Sequence, residues 1–96
     1  MKLRRQPTHP GGILKRLYLE PLKLRIGYLA EALGVSRNTI SNLINERGAV
    51  TPELALRLSI AFKTSAQLWL NLQQNYDLWH ARRTVKGLKR VRTLAA

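Results

Sequence analysis

Ninety-six residues with seventeen Lys and Arg against five Asp and Glu, a net charge of +12, make a small and strongly basic chain. That length supports one modest core and no second independent one. With no Cys, a disulfide scaffold and a thiolate metal centre are both excluded, and the composition fits a reducing cytoplasm.

The charge is segregated. Residues 1–25 hold seven basic side chains and one Glu, residues 26–80 hold four of each sign, and residues 81–96 hold six basic and no acidic ones. The whole excess lies at the two ends, so attraction to a polyanion would come from there. No run of about 20 apolar residues occurs, so no membrane-spanning helix is expected. The basic start is not followed by the apolar stretch of a signal peptide. The C-terminal segment lacks the large apolar face of an interfacial helix, and no membrane partner is expected.

In chain order, residues 1–10 read as a basic, Pro-bearing arm. A first helix is expected from Gly12 to about Leu19, with Ile13, Leu14, Leu17 and Tyr18 inward and Pro21 ending it. Residues 26–45, IGYLAEALGVSRNTISNLIN, then fit a helix-turn-helix. Ile26, Leu29, Ala30 and Leu33 make one stripe, and Ile40, Leu43 and Ile44 another. Gly34 permits the turn, Ala30 is small where the helices approach, and Ser36 is placed to cap the second helix.

The outward face of that second helix carries Arg37, Asn38, Thr39, Ser41, Asn42 and Asn45. These are poor helix formers compared with Glu, Lys, Gln and Ala. Asn and Arg, however, make paired hydrogen bonds to adenine and guanine edges in the major groove. The polar face therefore points to duplex DNA; an RNA-binding role would suit the basic ends but leaves this face unexplained.

Beyond the motif, Gly48 is expected to supply a left-handed cap. Thr51-Pro52-Glu53 is a strong start for a fourth helix burying Leu54, Ala55, Leu58 and Phe62. Thr64 and Gln67 are spaced as a capping box for a fifth helix. Leu68 and Leu72 are assigned to its core face. Trp69, Tyr76 and Trp79 are dimer-interface candidates, with wholly intramolecular packing the alternative. Residues 81–96 read as a basic tail, either helical or disordered, and residues 11–80 as the folded domain.

The stretches His9-Pro10-Gly11-Gly12-Ile13-Leu14, Leu19-Glu20-Pro21-Leu22, Leu33-Gly34-Val35-Ser36-Arg37, Thr51-Pro52-Glu53-Leu54-Ala55-Leu56-Arg57-Leu58 and the segment from Trp69 to Leu78 resemble the HigA/VapI antitoxins. These are Xre, lambda-repressor-like helix-turn-helix proteins. The resemblance covers roughly residues 9 to 79 and implies an all-α, five-helix DNA-binding fold. It also implies a homodimer on a palindromic double-stranded operator in its own promoter, and a HigB-like ribonuclease toxin as partner.

The resemblance places base reading on Arg37, Asn38 and Asn42. Thr39, Ser41, Asn45 and Arg47 would flank them, with Ser36 facing phosphate. Where the family often has a polar phosphate-bonding residue, this chain has Ile26 and Gly27, leaving the backbone contact to Arg25. Gly12 replaces the family's usual acid, which is expected to weaken the first helix cap. Only five acids are available to face a basic toxin, so like charge would oppose that partnership. A stand-alone Xre-type regulator without a toxin is therefore the competing reading.

An enzyme is the least expected class. His9 and His80 are far apart in sequence, the five acids are scattered, and no P-loop, dinucleotide or zinc-protease motif occurs. Each His is expected to be a cap or surface residue, and no metal or cofactor is implied.

Overall fold

The computed structural model describes residues 6–95, and every regular element among them is a helix. Helix α1 begins as Pro10–Leu14 and continues through a π turn at Lys15–Leu19 into Glu20–Leu22. Next come α2 (Ile26–Leu33), α3 (Arg37–Ile44), α4 (Pro52–Phe62), α5 (Ala66–Thr84) and a 3-10 turn at Leu88–Arg90. The expected five-helix order is present. Lys2, Arg4 and Arg5 of the basic arm lie outside the described residues.

Helix α1 departs from expectation in a way that follows from its π turn. The Glu20 N–H donates to the carbonyl of Lys15, five residues back, so one extra residue is accommodated in the turn. Pro21 has no N–H to donate and its ring would crowd the Leu17 carbonyl in a regular α-helix, a conflict that the wider turn relieves, and Arg16 and Leu17 are exposed. The helix thus passes Pro21 and stops at a left-handed Lys23 (φ 54°). The altered spacing turns Leu17, expected inward, to 59% exposure, while Leu14 and Leu19 are buried.

The core gathers Leu14 and Leu19 of α1, Leu29, Ala30 and Leu33 of α2, and Ile40 and Leu43 of α3. Val50, then Leu54, Ala55 and Leu58 of α4, and Trp69 of α5 complete it. Each fully buried Leu contributes about 1.5–3 kcal/mol. Helix α1 crosses α3 with unusual closeness. A Cβ on Gly11 would collide with the Leu43 carbonyl, so only glycine allows the two backbones to meet there.

Thr51 caps α4 as expected, accepting from the Leu54 N–H at 3.2 Å. At α5 the cap is Ser65, which accepts from the Leu68 N–H at 3.0 Å, and not Thr64. Thr64 Oγ1 instead accepts from Trp69 Nε1 at 2.7 Å, and Gln67 donates to Asn71. That one-residue shift reverses the expected burial. Trp69 is completely buried, whereas Leu68 is 44% exposed. Trp69 therefore has no surface to offer a second subunit, and Leu68 is not a core residue. Leu72 is half-buried against the core as expected. Helix α5 also runs past residue 80 to Thr84, so the tail is helical at its start, then forms the 3-10 turn; residues 82–95 are all exposed.

Candidate nucleic-acid interface

The helix-turn-helix is α2, a tight turn and α3. Gly34 has φ 73°, a conformation that glycine adopts without the penalty of a side chain, and closes α2 with its N–H on the Ala30 and Glu31 carbonyls. Arg57 of α4 reaches across to the same turn. Its Nη1 donates to the Leu33 carbonyl at 2.8 Å, and its guanidinium is held by Glu53 at 3.1 Å. An α4 side chain thus satisfies a carbonyl left open at the end of α2. Because Arg57 meets Gly34 where a Cβ would stand, the turn and the strut are matched.

Helix α3 begins as expected. Ser36 Oγ accepts from the Thr39 N–H at 3.1 Å and lies 2.9 Å from Thr39 Oγ1, a cap of about 1 kcal/mol. Ile40 and Leu43 anchor the helix in the core, which leaves Arg37, Asn38 and Asn42 exposed. Asn38, Asn42 and Asn45 follow at helical spacing on one stripe, with Arg37 and Ser41 on the next. Asn45 folds back, its amide donating to the Ser41 carbonyl at 2.9 Å, so part of its hydrogen-bonding capacity is used within the helix. Thr39 and Ser41 are half-buried, and Arg25 and Arg47 are exposed at the N-terminal edge of α2 and just beyond α3. Arg25 makes no side-chain cap.

Two further side chains fix the far end of α3, and no role was expected for them as positioning groups. His9 is buried. Its Nδ1 accepts from the Gly11 N–H at 2.9 Å, so its proton resides on Nε2, which donates to the Gly48 carbonyl at 3.1 Å. The first helix is therefore capped by His9 despite the missing acid at Gly12. Buried Gln73 accepts from the Val50 N–H at 2.9 Å and donates to Asp77 at 3.0 Å. Gly48 is not the left-handed residue expected there. That conformation falls on Glu46 (φ 60°), and both Arg47 and Gly48 donate to the Asn42 carbonyl. The sequence signals were the His-Pro-Gly-Gly cluster and a polar Gln on an otherwise inward position.

The aromatic candidates are used within the chain. Tyr76 packs edge-on against His9 (4.6 Å between centroids) and at a tilt of 51° against His80 (4.5 Å). Arg83 lies over the Trp79 ring at 3.5 Å, and both Tyr76 and Trp79 remain half-buried. The Gln6 amide donates to His80 at 2.8 Å, so the start of the described chain is fastened beside the origin of the basic tail. Among the described residues no cluster of His, Cys, Asp or Glu is placed to hold a metal ion, and no helix is long and apolar enough to cross a membrane.

Residues 15–69 match the helix-turn-helix family model. The chain is 49% identical over 94 residues to the uncharacterized HTH-type transcriptional regulator YbaQ of Escherichia coli (strain K12), covering 95% of this chain and 83% of that protein. It is 44% identical over 81 residues to antitoxin HigA-1 of Vibrio cholerae, covering 84% of this chain and 76% of the relative. Among solved structures, antitoxin GraA in complex with its operator superposes with a TM-score of 0.88 at 38% identity, over 100% of this chain and 99% of that one. The chain belongs to the Xre-like helix-turn-helix family, among relatives that include HigA antitoxins.

Proposed function

We propose that this DNA-binding regulator is a sequence-specific repressor of its own operon and the antitoxin of a HigB-like ribonuclease toxin. The observation that carries the DNA-reading half is α3 itself. It exposes Arg37, Asn38 and Asn42 while its own Ser36 caps it, its core face is buried and the turns on both sides of it are tied to α1 and α4. Such side chains suit base edges, and the braces keep them in register. The GraA complex with its operator supports the same use of this fold.

Two copies would present their α3 helices to successive major grooves about 34 Å apart and read a palindrome. The dimer would rest on α5. Tyr76 and Trp79 offer only their exposed edges, beside a shallow groove of about 400 Å³ lined by Gln74, Asp77, Leu78 and Ala81. Ser36, Arg25, Thr39, Ser41, Asn45 and Arg47 would line the backbone, and the six cations between Arg82 and Arg92 would add phosphate attraction. Footprinting on the chain's own promoter tests this: a protected two-fold site is expected, and uniform protection without a preferred site overturns it.

For toxin neutralisation, the support is the likeness to HigA-1. The second reading, a regulator without a toxin, is favoured by the shortage of acids and by the likeness to YbaQ. Co-expression with a ribonuclease from the adjacent reading frame separates them. Restored growth and a stable complex are expected of an antitoxin; continued toxicity leaves the regulator alone.

A further inference from the structure

The second residue of α2, Gly27, has a neighbour that its place in the motif does not explain. A Cβ built there would lie 3.4 Å from Arg37 Nε, 3.5 Å from Cζ and 3.8 Å from an Nη. The Arg37 side chain, otherwise exposed, therefore lies across the open side of α2 at Gly27, in the space beside a side chain's first carbon, one motif helix leaving room for the first residue of the other. A long, flexible side chain loses freedom when it docks on a base, and one already lying on a surface loses less. Those distances are ordinary van der Waals contact, so a methyl group fits, whereas a longer side chain needs the volume that the guanidinium occupies.

We infer that Gly27 is a specificity-determining residue: by having no side chain it sets the direction from which Arg37 meets the DNA. It reads no base itself and acts through Arg37. The inference rests on the proposed DNA-reading role of α3.

The test is competition binding with a set of operator duplexes varied one base pair at a time, using the full chain. The position read by Arg37 is the one whose preference disappears in Arg37→Ala. Gly27→Gln is expected to lower the preference there by about tenfold, the scale of a lost paired contact, and Gly27→Ala to keep it within about twofold. In the Arg37→Ala background Gly27→Gln should change nothing at that position. Gly27→Glu, which places an acid at a helix N-terminus and favours folding there, should also withdraw Arg37 and lower the same preference, whatever its general effect on affinity. Equal losses from Gly27→Gln with and without Arg37, or an intact preference in both Gly27→Gln and Gly27→Glu, overturn the inference while leaving DNA reading in place. A wild-type chain with no preference among duplexes removes the DNA-reading role, and the inference with it.

Discussion

Residues 26–80 and residues 81–95 are held in opposite ways. The first region is electrically balanced, and its reading helix is bound at both ends by directional contacts: Ser36 and Arg57 near the turn, His9 and Gln73 near the loop beyond it. The second carries six cations, is exposed from Arg82 onward and contributes nothing to the core. The contrast separates two physical tasks. Hydrogen bonds to base edges fail if the donor is misplaced by an ångström, so reading needs a braced surface. Attraction to phosphate falls off slowly and tolerates many geometries, so charge can sit on an unbraced end.

The largest effect is expected where Gly11 of α1 meets α3. Gly11→Val should force α1 off the Leu43 carbonyl and cost about 3 kcal/mol, read by chemical denaturation; unchanged stability would mean that the crossing is loose. Asn42→Ala should weaken operator binding by about 1–3 kcal/mol and random-duplex binding very little. Equal loss on both would reassign Asn42 to the backbone. Gln73→Leu leaves the buried Val50 N–H unpaired and should lower stability by about 1–3 kcal/mol. Arg57→Met keeps the aliphatic stem but frees the Leu33 carbonyl. Since Arg57 is 39% exposed, the expected loss is only about 1 kcal/mol, with specific binding falling further than stability if the strut aims α3.

Much of the braced region was legible. The stripes through Leu29, Leu33, Ile40 and Leu43, the small Ala30, the caps Ser36 and Thr51, and the turn at Gly34 are local signals, and each is present. Illegible features depended on choices between near-equivalent residues or on distant partners. Thr64 and Ser65 are adjacent hydroxyls, and only the demand of the buried Trp69 indole takes Thr64 away from capping. Pro21 reads as a stop because periodicity does not reveal the extra residue of a π turn. The left-handed residue after α3 is Glu46 although Gly48 lies two positions on, a local penalty of about 1–2 kcal/mol that the bonds to the Asn42 carbonyl help offset. His9 and Gln73 are bonded to partners 39 and 23 residues away, beyond the reach of any local pattern.

The division of labour is tested most directly by titrating operator and random duplex from about 50 to 200 mM salt. The full chain would be compared with one ending at Thr84, which keeps α5 whole and removes Lys86, Lys89, Arg90 and Arg92. Loss of phosphate contacts should flatten the log-log slope by about 0.9 for each contact removed, equally on both DNAs. The operator-to-random affinity ratio at a given salt should stay the same. An unchanged slope, or a ratio that collapses with the tail, would contradict the account.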